Sequence, residues 1–397
     1  MSDPAPLNVL KSCMCAAWLV LVLLRCPGAE AAEPVVIGQR YQVHSAVLSE
    51  DRGYRVYLPD SYRWANNRRY PVLFLLDGEN RFGHTVTSVD TLASAGDIPE
   101  MIVVGIDSPQ RTRDFTPTNW EAIVGGGGAD KFKRFLSTEL IPAVEKGFRS
   151  SGYRILSGHS LGGLFALYCL SAEPALFQGY MAIAPNLEWD RYLAQRLLQK
   201  TFEGNRAIKG FAYIARADDS GPALADFEAV ANTFKSKAPP GLRWQAAAFA
   251  DETHSSVPLL AQIDALRRLY LDYRFHPDHY EKGLAFAQEH FARVSRLVGT
   301  PLPIPEEALS GIADELLQSK PAEALKLFQS NLDANPNSAD AHLGLANALA
   351  KNGNWKDAVR EAERAVALAG EYQLSPSAQT YYKERAARLR ERAKGAK

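Results

Sequence analysis

The sequence predicts an α/β protein: a mostly parallel β-sheet with helices on both faces, followed by a small all-α domain of helical repeats. From about residue 36 to 275, short apolar stretches alternate with helical ones, which is typical of strands buried on both faces of a sheet. The stretch 299–305 has proline at every second position, so it can be neither helix nor central strand. Beyond it the chain is rich in Ala, Leu and basic residues and repeats with a period of about 34 residues.

Length and charge narrow the possibilities before any motif is considered. A chain of 397 residues favours two domains, and 46% hydrophobic with 23% charged residues excludes a wholly disordered protein. Lys and Arg together number 45, as do Asp and Glu, so the formal net charge is zero. We therefore expect no general attraction to phosphate backbones and no nucleic-acid partner.

The first 31 residues have the pattern of a secretory signal peptide. Lys11 precedes an apolar run from Cys13 to Leu24, and Ala29-Glu30-Ala31 offers a small-residue cleavage site. The run is shorter than the roughly 20 residues of a membrane-spanning helix. We predict an exported protein, periplasmic or secreted, with no membrane span after cleavage and with Cys169 as its remaining cysteine.

Seven apolar stretches in the region 36–275 are predicted as strands, and four segments between them as helices. The strands are 55–58, 70–76, 101–106, 153–157, 181–184, 211–215 and 244–249. The helices are 132–144, 161–170, 224–234 and 258–273. This alternation predicts parallel strand pairing with crossover helices.

The C-terminal part is predicted as a linker, residues 276–305, and a helical tail, residues 306–397. Around Gly353 and Trp355 the small and apolar residues fall near the offsets of a tetratricopeptide repeat, whereas the unit before them is degenerate. A last helix over 377–394 has mixed charge and is predicted to be a polar cap.

The segment Gly158-His159-Ser160-Leu161-Gly162 follows a predicted strand and opens a predicted helix. This is the strand–turn–helix setting of the nucleophile elbow of α/β-hydrolases, in which small flanking residues permit a strained turn. The helix N-terminus then faces developing negative charge. We predict an α/β-hydrolase fold with Ser160 as the nucleophile.

The general base is predicted from the chain order of the fold, which is serine, then acid, then histidine. His254 follows the last predicted strand and is the predicted base. His276 and His279 form a close pair without further ligand residues nearby, so we predict a structural role for them and no metal site.

The acid is less determined by position. It should follow the strand 211–215, where Asp218 and Asp219 lie, with Asp226 and Glu228 on the next helix as later candidates. Asp219 is favoured, then Asp218, then Asp226. Alternatively, these carboxylates cap the helix that starts near Pro222.

Three further elements complete the predicted site. An oxyanion hole needs two backbone N–H groups, one from Leu161 and one from the turn 77–80. Arg113 is a candidate for holding an anionic substrate, or for pinning its own loop by pairing with Asp114. Trp189 is a candidate for lining the acyl pocket, or for simple packing.

These motifs together resemble the putative esterase family, which is related to esterase D and to the enterobactin-type siderophore esterases. The resembling segments are Leu75-Leu76-Asp77-Gly78, Arg111-Thr112-Arg113-Asp114-Phe115-Thr116-Pro117, Gly158-His159-Ser160-Leu161-Gly162-Gly163 and Glu252-Thr253-His254-Ser255-Ser256-Val257-Pro258. The resemblance spans roughly residues 36–275. It implies Ser160 as nucleophile, His254 as base and the N–H groups of Glu79 and Leu161 as oxyanion hole. Members differ in the position of the acid, and some siderophore esterases use a dyad, so the acid stays open.

The resemblance implies ester hydrolysis more firmly than it implies a substrate, because members of the family act on siderophore lactones, feruloyl esters or S-formylglutathione. We expect an exported serine hydrolase that takes a small-molecule ester, needs no cofactor, and carries a tail able to bind a protein partner. The alternatives are a partner-binding scaffold that works through the tail, and an acyltransferase that uses the same triad.

Overall fold

A computed structural model describes residues 34–204 and 206–396. The predicted signal peptide, residues 1–31, lies outside the described residues. From Ile37 onward the chain forms one compact unit. None of the described helices is both long and apolar enough to cross a bilayer.

Eight strands of the described part of the chain form a single sheet. They are β1 (Gln39–Ser45), β2 (Glu50–Tyr57), β3 (Tyr70–Leu75), β4 (Ile102–Ile106), β5 (Ser150–His159), β6 (Gly179–Ile183), β7 (Gly210–Arg216) and β8 (Leu242–Ala248). Their order is β1-β2-β4-β3-β5-β6-β7-β8; β2 pairs antiparallel with both β1 and β4, and all other neighbours are parallel. The predicted mostly parallel sheet is confirmed, and β1, a polar edge strand, is added to it.

Between residues 78 and 298, the described chain has nine α-helices, which cover both faces of the sheet. They are α1 (Gly78–Ser94), α2 (Arg111–Phe115), α3 (Ala129–Phe135), α4 (Ile141–Gly147), α5 (Leu161–Ala172), α6 (Trp189–Gly204), α7 (Gly221–Lys237), α8 (Val257–Leu269) and α9 (Gly283–Val298). The predicted helix over 132–144 is observed as α3 and α4 joined by a π-helical turn, Leu136–Leu140.

Alternate strand residues enter two separate apolar cores, because successive side chains of a strand point to opposite faces. Phe74 on β3 packs into the core built by α3, α5 and α7, where Phe165 is also buried. Its neighbour Leu73 packs into the core on the other face, with Val89 of α1 and Leu266 of α8. Burial on both faces explains why the central strands read as continuous apolar runs.

The segment 276–305, expected to be a linker, contains a packed helix. Helix α9 buries Ala287, Phe291 and Val294 against the second core, so most of this segment is part of the folded body. The proline-rich stretch that follows has neither helix nor strand, as its prolines require.

Five helices form the tail over its described residues, 306–396. They are α10 (Glu306–Ser319), α11 (Pro321–Ala334), α12 (Ala339–Lys351), α13 (Trp355–Glu371) and α14 (Pro376–Gly395). Ile312 and Phe328 join the apolar core beneath α1, α8 and α9, so the tail packs directly on the sheet domain. Polar contacts support this packing, including Arg68 Nη2 donating to Asn335 Oδ1 at 3.2 Å.

The tail packs near the amino ends of the central parallel strands. Tyr70 at the start of β3, Glu100 just before β4 and Ser151 at the start of β5 line a cavity of about 200 Å³ together with residues 300–307. The carboxyl ends of the same strands lie on the opposite side of the domain. In open α/β sheets it is this side that carries ligand sites.

Candidate active site

Ser160 lies at a strained turn between β5 and α5. Its backbone has φ 59° and ψ −119°, a conformation that costs a non-glycine residue free energy and clusters at functional sites. Two hydrogen bonds hold the turn: Ser160 N donates to Ile183 O at 3.0 Å, and Asn186 N donates to Ser160 O at 3.1 Å. The turn brings the half-buried Ser160 to the N-terminus of α5.

Glycine is required on one side of this turn. A Cβ added at Gly158 would lie 2.2 Å from the carbonyl oxygen of Gly162, a distance that no side chain tolerates. At Gly162 itself the nearest atom to an added Cβ is 3.4 Å away, which is ordinary contact. The motif therefore demands glycine more strictly before the serine than after it.

Two helix N-termini meet beside Ser160. Leu161 is the first residue of α5, and Glu79 is the second residue of α1. N–H groups in the first turn of a helix have no intrahelical acceptor and lie at the positive end of the helix dipole. A Cβ added at Gly162 would lie 3.7 Å from Asp77 Oδ2, so the first turns of the two helices are neighbours. The pair has the character that an oxyanion hole requires.

His254 lies in the loop between β8 and α8. Hydrogen bonds between Thr253 and Ser256 shape this loop, with Thr253 N donating to Ser256 Oγ at 3.0 Å. Asp218 N donates to Glu252 O at 2.9 Å, which ties the loop after β7 to the loop after β8. The strand ends thereby bring the candidate base and the candidate acids to one place.

One cavity of about 160 Å³ is lined by His254 and three carboxylates, namely Glu188, Asp219 and Asp226. Burial lowers the pKa of His254 below its usual 6.5; the negative charge of Asp219 opposes this shift, and nearby arginines add to it. Burial also raises the pKa of Asp226. Among the four candidate acids, Asp219 and Asp226 share the cavity with His254, whereas Asp218 and Glu228 are exposed.

Two arginines lie in this region, of which sequence reasoning noted Arg111 and missed Arg81. Arg81 Nη2 donates to His159 Nδ1 at 3.1 Å, and Arg111 forms a bidentate pair with Asp77, with Nε–Oδ1 at 2.6 Å and Nη2–Oδ2 at 3.1 Å. Both guanidinium charges lower the pKa of His254 and of His159. Arg81 lies on the first turn of α1, a helix that was not predicted although Phe82, Val86, Val89 and Leu92 recur at helical spacing.

The two residues predicted to contact substrate have other partners. Arg113 donates to both carboxylate oxygens of Glu50, at 2.6 and 3.1 Å, and to Asp114 at 2.7 Å, which is the loop-pinning alternative. Trp189 is fully buried, and its indole nitrogen donates to Thr118 Oγ1 at 3.2 Å. Both positions support the fold around the site, and we assign neither residue a substrate contact.

Within residues 34–204 and 206–396, no group of three or more His, Cys, Asp or Glu side chains is arranged to hold a metal ion. The rings of His276 and His279 are 6.5 Å apart, and His276 Nδ1 accepts from Asp278 N at 3.4 Å, which caps a short 3-10 helix.

Sheet order, the strained serine after the central strand and the histidine loop after the last strand define an α/β-hydrolase fold. Comparisons with known proteins agree. Residues 45–218 match the family described as putative esterase, and residues 315–373 match the tetratricopeptide repeat. The chain therefore matches this esterase family and the tetratricopeptide repeat in that order, and the resemblance noted in the sequence is confirmed.

The matched relatives include siderophore esterases. The chain is 32% identical to the ferri-bacillibactin esterase BesA of Bacillus subtilis over 36% of its own length and 57% of that protein's. It is 30% identical to the siderophore triacetylfusarinine C esterase of Aspergillus fumigatus, over 36% of its own length and 55% of that protein's. The match thus spans little more than half of either relative.

A solved structure extends the likeness to most of the chain. The IroE-like serine hydrolase of Shewanella oneidensis is 26% identical and superposes with a TM-score of 0.66. The superposition covers 74% of this chain and 98% of that one.

Proposed function

We propose that this protein is an exported serine hydrolase that cleaves carboxylic esters, with Ser160 as nucleophile, His254 as base and Asp219 as the acid that orients it. The observation that carries the proposal is the strained Ser160 at the N-terminus of α5, next to a histidine loop that is hydrogen-bonded to the residue preceding the serine. Export rests on the signal-peptide pattern of the first 31 residues.

Acylation is the first half of the reaction. Ser160 Oγ attacks the ester carbonyl carbon while His254 takes the hydroxyl proton, because a neutral serine is a weak nucleophile. The carbonyl oxygen becomes an oxyanion, which the N–H groups of Leu161 and Glu79 stabilise. The intermediate then collapses, the C–O bond to the alcohol breaks, and His254 returns the proton to the leaving alkoxide.

Deacylation repeats the same steps with water. His254 deprotonates a water molecule that attacks the acyl-enzyme, and the second oxyanion uses the same two N–H groups. Collapse releases the carboxylic acid and returns the proton to Ser160. Throughout, His254 must begin each half-reaction neutral, and its lowered pKa favours the neutral form at neutral pH.

For the substrate class we propose siderophore esters. Two of the matched relatives are named for siderophore esters. Arg81 and Arg111 both act electrostatically on His254. The choice of substrate class rests on these relatives, because the cavity beside His254 is also lined by three carboxylates, Glu188, Asp219 and Asp226.

The test is a substrate comparison with purified protein. Ferri-bacillibactin, triacetylfusarinine C and the neutral chromogenic ester p-nitrophenyl acetate are assayed by chromatography or absorbance, with Ser160→Ala as the blank. We expect kcat/KM for a siderophore ester to exceed that for the neutral ester. Turnover of the neutral ester alone would contradict the substrate class, and no turnover of any ester would contradict the hydrolase proposal.

Among the carboxylates, we predict that Asp219→Asn lowers kcat more than Asp226→Asn or Asp218→Asn does. The reason is that Asp219 shares a cavity with His254 and its charge stabilises the protonated imidazole, which forms in both half-reactions. Asp218→Asn is the matched control, since it is the adjacent carboxylate and is exposed. A larger loss in Asp226→Asn would assign the acid to α7, and equal activity in all three variants would indicate a dyad.

We also predict that a chain ending at Gly299 keeps its activity on small esters but loses stability. The tail attaches where β3, β4 and β5 begin, whereas the site lies at the ends of the strands. Removal would uncover the apolar surface that Ile312 and Phe328 cover, so Tm should fall. Turnover per mole of folded protein, with folding followed by circular dichroism, measures both effects. A folded but inactive truncated chain would mean that the tail shapes the active site.

A further inference from the structure

His159, the residue before the proposed nucleophile, makes two hydrogen bonds that join separate parts of the site. Its Nε2 lies 2.7 Å from the backbone carbonyl oxygen of His254, and its Nδ1 lies 3.1 Å from Arg81 Nη2. The rings of His159 and His254 have centroids 4.6 Å apart. His159 is buried, and its backbone belongs to β5, the strand that carries Ser160.

The partners determine which nitrogen of His159 carries the proton. A guanidinium has donors and no acceptor, so Nδ1 must accept from Arg81. A carbonyl oxygen has no donor, so Nε2 must carry the hydrogen and donate to His254. A doubly protonated ring would place a hydrogen on Nδ1, where it would face the N–H donor of Arg81 with no acceptor between them. Burial and the positive charge of Arg81, with a smaller effect of His254, lower the pKa of His159 to about 3, in agreement with this neutral form.

The bond to His254 O fixes the backbone of the base relative to the nucleophile. The loop around His254 is otherwise shaped by bonds between Thr253 and Ser256, both exposed, and by the bond between Asp218 and Glu252. Those contacts tie the loop to itself and to the loop after β7. The bond from His159 ties the loop to β5, the central strand that ends just before Ser160.

We propose that His159 is a positioning residue for catalysis: it donates to the His254 carbonyl to hold the base in register with Ser160, and Arg81 keeps it in the one tautomer able to do so. This inference rests on the proposed roles of Ser160 and His254. It is distinct from them, because His159 takes no proton from substrate.

The test separates the two nitrogens of the ring. His159→Phe keeps an aromatic ring and removes both bonds, and we expect kcat to fall by about 10²-fold with KM little changed, since misplacement of a catalytic group by about 1 Å costs this much. His159→Gln retains an N–H near the position of Nε2 and an oxygen able to accept from Arg81, so it should restore kcat to within a few-fold of wild type. His159→Asn, whose amide is too short to reach the carbonyl, should remain impaired.

Arg81→Met provides a second test of the proposal, which can be carried out even if His159→Phe does not fold. It should lower kcat in the wild-type background and have no further effect on kcat in a His159→Asn background, because Arg81 acts through His159. The control is His84→Phe, a half-buried imidazole on α1 with no hydrogen-bond partner among the described residues, which should leave kcat unchanged.

Two results would overturn the proposal: wild-type kcat in folded His159→Phe, or equal impairment of the Gln and Phe variants. Additive losses from Arg81→Met and His159→Asn would overturn the role given to Arg81. Ser160→Ala and His254→Ala are run beside these variants. If those two variants remain active, the proposed function fails; if they are inactive while His159→Phe is fully active, the inference about His159 alone fails.

Discussion

Replacing Ser160 by alanine is expected to lower kcat for ester hydrolysis by about 10⁴–10⁶-fold, the loss found when a serine hydrolase is deprived of its nucleophile. Binding should survive, because the oxyanion N–H groups and the pocket stay in place. Alanine adds no bulk at this position, so the fold should be unchanged. Initial rates on p-nitrophenyl acetate, with Tm measured in parallel, test this expectation.

The matched control is Ser171→Ala, a serine on the same helix whose hydroxyl donates to the carbonyl of Leu167. It should have wild-type activity. Near-normal turnover in correctly folded Ser160→Ala protein would rule out Ser160 as the nucleophile, whatever the other residues do.

Replacing His254 by alanine should be nearly as damaging, with a loss in kcat of about 10⁴-fold or more. The wild-type enzyme should also lose kcat/KM on acidification as the imidazole becomes protonated. Because burial lowers the pKa of His254, the midpoint of this loss should lie below pH 6.5. A pH–rate profile of wild-type and variant enzyme measures both effects.

His276→Ala is the control for this variant, since His276 is an exposed histidine far along the chain from the site. It should keep both the rate and the acid limb. An acid limb with its midpoint above pH 6.5, or one that is unchanged in His254→Ala, would contradict His254 as base.

Local sequence patterns predicted the central features of the site because the determinants are local. The elbow needs a strand, small residues and a helix in direct succession, and residues 153–170 provide all three. The apolar central strands were equally readable, because burial on both faces leaves them without polar positions. The serine and its setting could therefore be predicted without any tertiary information.

The parts that were missed depend on contacts between distant residues. Helix α1 has Thr and Ser between its apolar residues Phe82, Val86, Val89 and Leu92, and their helical spacing was overlooked, so neither the helix nor Arg81 was predicted. The bond between His159 and His254 joins residues 95 positions apart, and nothing in either segment indicates it. The sequence ranked Asp219, Asp218 and Asp226 by position alone, whereas the structure places Asp219 and Asp226 in one cavity with His254.

Residues 276–305 were predicted to be a linker, but most of them pack in the folded body. Proline at alternate positions correctly marked 299–305 as irregular, but the prediction extended this character back to residue 276. Helix α9 and the tail share one apolar core with the sheet. The change in composition along the sequence therefore does not mark a break in the packing. Chain composition reports local propensity, whereas burial depends on the partner surface.

The central claim, that Ser160 is an activated nucleophile, is tested most directly by covalent labelling. Wild-type protein is incubated with a fluorophosphonate, and the modified peptide is identified by mass spectrometry. We predict one equivalent of label on Ser160, no label in Ser160→Ala, and much slower labelling in His254→Ala. Protein that hydrolyses esters while Ser160 stays unlabelled, or label on another serine, would contradict the account.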